Sequence, residues 1–294
     1  MVKLSVADNL FGYYMREGCR PAPVPRNYAP FVTADTGEPI FTVALDAEIA
    51  PRNDRPMVET PYDLQEATCL MQIYPDEYRL HIVSPTGECN LRCPFGEGTL
   101  EFESDILLHG QRLGRNIFDH QMVFAYSFGT LLRSKTLLIH SSTVMNGGRG
   151  VMFLGESGTG KSTHTKLWLD NIEGSELLND DGPILRVTDS GVLVYGSPWS
   201  GKTPCYKPVG VPLAAMVRLR QAPENRIVKL GAVSGFGALL PSTLPTMQKE
   251  ERTLDRICNV LSEILTTTPI FMMDCLPNGA AAHLSYETIF ALRG

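Results

Sequence analysis

Two stretches of this chain fit the spacing G-x-x-x-x-G-K-[ST]: "GESGTGKS" at 155–162 and "GSPWSGKT" at 196–203. The spacing suits phosphate chemistry. Glycines let the backbone close around an anion, backbone N–H groups point inward, and the lysine supplies a fixed positive charge. Such a loop also needs an apolar strand before it and a helix after it, because the first turn of a helix has N–H groups without intrahelical partners. The first stretch meets both conditions: "GVMFL" precedes it, and "STHTKLWLDNI" comes after it without proline and ends near Gly174, a suitable helix stop. The second has its strand, "VLVYG", but Pro198 removes an N–H inside the loop, and Pro204 and Pro208 bracket the place where a helix would begin. One phosphate loop and one Gly/Pro turn bearing a lysine are expected.

In the first loop the candidate nucleotide-binding residues are Gly155, Ser157, Gly158, Thr159, Gly160, Lys161, Ser162 and Thr163. Lys161 would lie along the β- and γ-phosphates of ATP, Ser162 would offer its hydroxyl to Mg²⁺, and the amides of 157–162 would cradle phosphate oxygens. Lys202 of the second stretch is either a solvated lysine or a second cation that offsets charge on a transferring phosphoryl group. A third feature, "LLNDDG" at 177–182, ends an apolar run in two adjacent acids, at a strand end where α/β proteins place their ligand crevice. Side chains alternate along a strand, so Asp180 and Asp181 can take different jobs. One can hold Mg²⁺ directly or through water, with Asp180 the candidate beside Ser162, and the other can accept the proton of an attacking hydroxyl.

These residues need strands and helices to hold them. Residues 1–115 read as short strands, "FTVAL" (41–45), "EYRLHIVS" (77–84) and "TLEFES" (99–104), punctuated by Pro, Gly, Asp and Asn. Apolar residues at helical spacing over 116–134, among them Ile117, Phe124, Phe128 and Leu131, predict a largely buried helix. "TLLIHSSTV" (136–144) and "GVMFLGE" (150–156) are strand-like runs joined by "MNGGRG", which suits a tight hairpin. "ELLNDDGPILRV" (176–187) with "GVLVYGS" (191–197) reads as another strand pair, "PLAAMVRLRQ" (212–221) as one more strand, 245–266 as a long helix, "IFMMDCL" as a last strand, and "SYETIFALR" as a short terminal helix. The expected division is a mainly β region, 1–115, and a phosphate-loop α/β domain, 116–294.

Composition narrows the partners. With 294 residues, 43% apolar and 20% charged, the chain can bury a full core. A net charge of −6 and no basic run argue against a nucleic-acid surface. No run of some eighteen apolar residues and no leader-like start occur, which points to no membrane partner and a cytoplasmic location. Seven scattered cysteines, 19, 69, 89, 93, 205, 258 and 275, suit reduced thiols, and the Cys89/Cys93 pair has no second Cys/His pair at zinc spacing. Homo-oligomerisation is left open.

The order His140, strand, "GESGTGKST", "LNDD" resembles the kinase domain of HPr kinase/phosphorylase and the wider phosphoenolpyruvate-carboxykinase-like nucleotide-binding fold, over roughly residues 136–221. The resemblance implies that Lys161 and Ser162 bind phosphates and metal, that Asp180 and Asp181 supply the metal contact and the general base, and that His140 supports the catalytic carboxylate. Two departures set the chain apart from the bifunctional enzyme: Thr163 stands where that enzyme usually has Glu, and "YGSPWSGKTPCYK" stands where it carries a downstream, glycine-flanked Glu. The resemblance is therefore to divergent HPr-kinase-like proteins. The expected function is ATP- and Mg²⁺-dependent phosphorylation of a hydroxyl on a protein, peptide or small molecule. The alternatives are a nucleotide-dependent switch that binds a peptide or partner protein, and a carboxykinase-type enzyme acting on a small oxoacid.

Overall fold

The computed structural model describes residues 1–16, 21–64, 67–96, 98–108 and 115–291 of a mixed α/β chain with large sheets and few helices. Contacts divide it into two compact units: Met1–Arg133 with Thr246–Leu254, and Ser134–Pro245 with Asp255–Gly294.

Among the described residues the first unit is built on an eight-stranded sheet and a long helix. Its strands are β1 (Val2–Val6), β2 (Asn9–Tyr14), β3 (Phe41–Ala44), β4 (Val58–Leu64), β5 (Ala67–Ile73), β6 (Glu77–Ser84), β7 (Gly87–Pro94) and β8 (Leu100–Ser104), in the order β1-β2-β3-β8-β7-β6-β5-β4. Period-two alternation buries Cys69, Met71 and Ile73 of β5 and Leu80 and Ile82 of β6 on one face. Onto the sheet packs α1 (Arg115–Arg133): the Tyr126 hydroxyl donates to the Val6 carbonyl at 3.0 Å, and the Phe128 ring meets Tyr78 edge-on at 4.4 Å between centroids. The approach is so close that a Cβ at Gly129 would overlap the Phe41 ring. These contacts correct the sequence boundary. The helix expected to open the C-terminal domain belongs to the N-terminal unit, because its aromatic face completes that sheet's core. Cys89 and Cys93 are buried free thiols in this unit, and burial pushes the Cys89 thiol up to about 12. Cys19 lies outside the described residues.

The second unit holds β9 (Thr136–Leu138), β10 (Ser141–Asn146), β11 (Arg149–Leu154), β12 (Glu176–Asp181), β13 (Ile184–Thr188), β14 (Gly191–Tyr195), β15 (Gly210–Gln221), β16 (Arg226–Lys229) and β17 (Ile270–Cys275). Their order is β12-β10-β11-β15-β14-β13-β9, with β17 parallel to β15 and β16 antiparallel to β17. The helices are α2 (Lys161–Asn171), α3 (Ala232–Leu239), α4 (Glu251–Thr267), whose first turn counts with the other unit, and α5 (Gly279–Ala291). Val144, Val151, Phe153, Trp168, Val217 and Phe271 form its core. The Asn-Gly-Gly hairpin forms as expected, with Gly147 at φ 55° and Gly148 at φ 72°, the two left-handed positions that a tight two-residue turn requires.

Two runs that read as single strands are broken. "TLLIHSSTV" divides into β9, which pairs with β13, and β10, which pairs with β11 and β12; between them the amides of Ile139 and His140 donate to Pro183 O at 3.1 Å and Ser242 O at 2.7 Å. "ELLNDDGPILRV" divides at Gly182-Pro183, so β12 joins β10 while β13 joins β14. Proline cannot donate to a ladder, and the chain changes partners there.

Candidate functional site

Register assembles the site. Across the sheet the paired residues are Asp181 of β12 with Ser141 of β10, Ser141 with Leu154 of β11, Leu154 with Arg218 of β15, and Arg218 with Met272 of β17. This single lateral row collects the end of the strand before the first glycine loop, the start of the strand after His140, the paired acids and an arginine. It is the edge at which α/β sheets present ligands.

The loop 155–160 leaves β11 and enters α2 directly. Gly155, Gly158 and Gly160 have φ of 154°, 81° and 106°, and nothing stands within 4 Å of where a Cβ at Gly158 or Gly160 would lie. Here glycine is chosen for backbone angles that leave a concave space. Gly160 caps α2 without a side-chain hydrogen bond, so the helix's first N–H groups and its positive end face the loop. Lys161 is buried and its ammonium donates to the carbonyls of Gly155 at 2.9 Å and Glu156 at 3.2 Å. Burial holds its pKa below the ordinary lysine value, against the opposing pull of the Asp181 and Asp180 charges. Ser157, Thr159 and Thr163 lie along the loop and the first helical turn, Ser157 and Thr163 exposed and Thr159 half-buried.

The acids separate as alternation requires. Asp180 is buried and its Oδ1 accepts the Ser162 hydroxyl at 2.9 Å, which ties the end of the phosphate loop to β12. Asp181 faces solvent, with its Oδ1 3.3 Å from His140 Nε2. It has a φ of 118°, a conformation that costs a non-glycine residue roughly 1–3 kcal/mol and that concentrates at working sites. The second glycine stretch comes to the same place by another route: Ser200 bridges to Asp181, and a Cβ at Gly201 would stand 3.1 Å from the Asp181 Cβ. Lys202, the next residue, is exposed. Lys161, Ser162, Asp180, Asp181, His140 and the turn that carries Lys202 therefore share one corner of the second unit.

No family model matches this chain, and no curated protein does either.

Beside the loop lies a cleft of about 450 Å³ lined by Glu156, Gly158, Thr159, Arg218, Gln221 and Met272, among others. Gln221 donates to the carbonyl of Gly158 at 3.2 Å and so braces the loop from β15. Arg218, largely buried, donates to Ala238 O at 3.0 Å and stands 3.9 Å from Glu156. In sequence Arg218 belongs to a strand-end group as compatible with solvent as with a ligand, and Gln221 carries no signal; only the parallel β11/β15 register brings them to the loop. Among the described residues no group of three or more His, Cys, Asp and Glu could by itself hold a metal ion. The donors that do meet, one hydroxyl and one carboxylate, suit a hard cation that keeps most of its ligands as water and phosphate oxygen, the habit of Mg²⁺ rather than zinc. No helix among the described residues is long and apolar enough to cross a membrane.

Proposed function

We propose that the second unit is a Mg²⁺- and ATP-dependent phosphotransferase that acts on a hydroxyl of a protein, peptide or small molecule, built on the HPr-kinase-like variant of the phosphoenolpyruvate-carboxykinase-like fold. The observation that carries the reading is the Ser162–Asp180 link at 2.9 Å, which joins a glycine loop of phosphate-binding geometry to a pair of acids. The shape of the loop supports it, as does the fit of the donor set to a lightly held hard cation.

On this reading the loop amides and the uncapped start of α2 hold the phosphates, and Lys161 neutralises charge along them. Ser162 and Asp180 would hold Mg²⁺, which would supply positive charge to offset that on the phosphate oxygens. Asp181 is solvent-facing and therefore open to an acceptor; it takes the proton from the attacking hydroxyl. His140, at 3.3 Å, orients that carboxylate and is positioned to stabilise its charge. The remaining catalysis is alignment of the acceptor, which needs no covalent intermediate.

The test is release of inorganic phosphate from Mg-ATP, with water standing in for the acceptor hydroxyl, compared between wild type and Asp181→Asn. Loss of a general base lowers turnover about 10²- to 10⁴-fold, and Mg-ATP affinity measured in parallel stays within a few-fold because the nucleotide-holding groups are untouched. Turnover equal to wild type in Asp181→Asn contradicts the assignment.

A further inference from the structure

The segment 196–207 runs along the outer edge of β12, and its contacts track that strand almost residue by residue. Lys207 pairs with Glu176 at 2.8 Å, and Cys205 Sγ faces the carbonyls of Leu177 and Leu178 at 3.5 and 3.3 Å. The Gly201 amide and the Ser200 hydroxyl both donate to the carbonyl of Asp180, at 2.5 and 3.1 Å. β12 ends its sheet, so this segment covers an edge whose polar backbone would otherwise be open.

At the centre sits Asn179, with no solvent exposure. Its amide nitrogen donates to Trp199 O at 2.9 Å and lies 3.3 Å from Ser197 Oγ and 3.4 Å from Cys205 O, while its Oδ1 accepts the Gly182 N–H at 2.9 Å. One side chain thus grips both ends of the turn 197–205 and the corner after the paired acids. Ser200 closes the turn from within, lying 2.7 Å from Thr203 O and accepting the Cys205 amide at 3.2 Å. A solvated Gly/Pro turn has no need of a buried amide; a satisfied buried polar network specifies one conformation.

That conformation sets Gly201 against Asp181 and leaves Lys202 exposed, with no acidic partner among the described residues. We propose that Asn179 is a positioning residue for Lys202: it fixes the strap 197–205 on β12 so that the Lys202 ammonium faces the anion held by Gly155–Ser162. This rests on the phosphotransfer reading, to which it adds a second cation on the side of the acids. It also gives the Gly-Lys sequence at 201–202 a purpose that its failed resemblance to a phosphate loop does not.

The test measures acetylation of each lysine by a water-soluble active ester, read by peptide mass spectrometry, with and without Mg-ATP, in wild type, Asn179→Ala and Ser200→Ala. At Mg-ATP about ten times its Kd, Lys161 is expected to react roughly ten-fold more slowly by mass action, and Lys202 at least about three-fold more slowly. In Asn179→Ala the protection of Lys202 disappears while that of Lys161 persists, which also shows that the nucleotide site has folded. Ser200→Ala, a milder change in the same strap, gives the same split. Lys202 unprotected in wild type, or protected equally in the variants, overturns the proposal and leaves the nucleotide reading intact. Protection of neither lysine in wild type removes the nucleotide reading and this proposal with it.

Discussion

The stretches 155–162 and 196–203 match one consensus and differ in almost every physical respect. In the first, glycine supplies left-handed backbone angles around open space, and a helix begins at Lys161. In the second, glycine permits contact: a Cβ at Gly196 would overlap the carbonyl of Lys207, and one at Gly201 would press on Asp181. Neither Gly196 nor Gly201 has a positive φ, and residues 203–209, directly after Lys202, form no helix. The first loop is hollow and the second is filled by its own neighbours. A motif defined by letters cannot tell these apart; the residues on the C-terminal side of each lysine can. Helix or proline after the lysine decides whether N–H groups remain for a ligand.

The largest expected effect that sharpens this contrast is Gly196→Ala. The added methyl meets backbone rather than a flexible side-chain end, so the strap must move, at a cost on the order of 3 kcal/mol. The same change at Gly158 meets nothing within 4 Å and pays only for its φ of 81°, about 1 kcal/mol. Urea unfolding monitored by tryptophan fluorescence reads both, since Trp168 and Trp199 are the only tryptophans and both lie in the second unit. Equal losses at the two glycines would erase the distinction.

A somewhat smaller effect separates the loops by pH. His164 begins the second turn's buried face on α2, where it meets Ser285 Oγ at 3.2 Å, and burial pushes its pKa from 6.5 down to about 4. The unfolded chain therefore takes up this proton first, so the contribution to stability is present above about 6.5 and is lost as pH falls towards 4. By pH 5 the loss is about 2 kcal/mol. In a Trp199→Phe background, Trp168 fluorescence is expected to show this acid loosening of the helix behind the first loop, and His164→Asn to flatten it. An unchanged pH profile in His164→Asn would contradict it.

Much of this unit is legible in sequence because its signals are local. The Asn-Gly-Gly hairpin, the strand before Gly155, the helix after Gly160 and the strand of 212–221 each arise from a few adjacent residues. In the candidate site Ser162, Asp180 and Asp181 carry signals of type and spacing, whereas His140 enters only through the resemblance to HPr-kinase-like proteins. What stays hidden depends on partners far along the chain. The break of "TLLIHSSTV" at Ile139–His140 is made by Pro183 and Ser242, neither adjacent in sequence, and it is this break that frees His140 to meet Asp181. Asn179 looks like one polar residue between a leucine and an aspartate, and its role appears only when segment 197–205 folds back on it. In the first unit β1, β2, β4, β5 and β7 escape notice beside the three strands that alternate most clearly, and the helix 115–133 is assigned to the wrong unit because nothing within it says which sheet its aromatic face will cover.

The central claim, that one glycine loop holds a phosphate and its double does not, is tested most directly by calorimetric titration of Mg-ATP into wild type, Lys161→Ala and Lys202→Ala. Lys161→Ala removes charge-assisted bonds worth roughly 1.5–3 kcal/mol and is expected to weaken binding about 10- to 100-fold or more. Lys202→Ala removes an exposed cation and is expected to stay within about five-fold of wild type. If Lys202→Ala is instead the damaging change and Lys161→Ala binds as wild type does, the two loops have been assigned in reverse and the proposed mechanism falls.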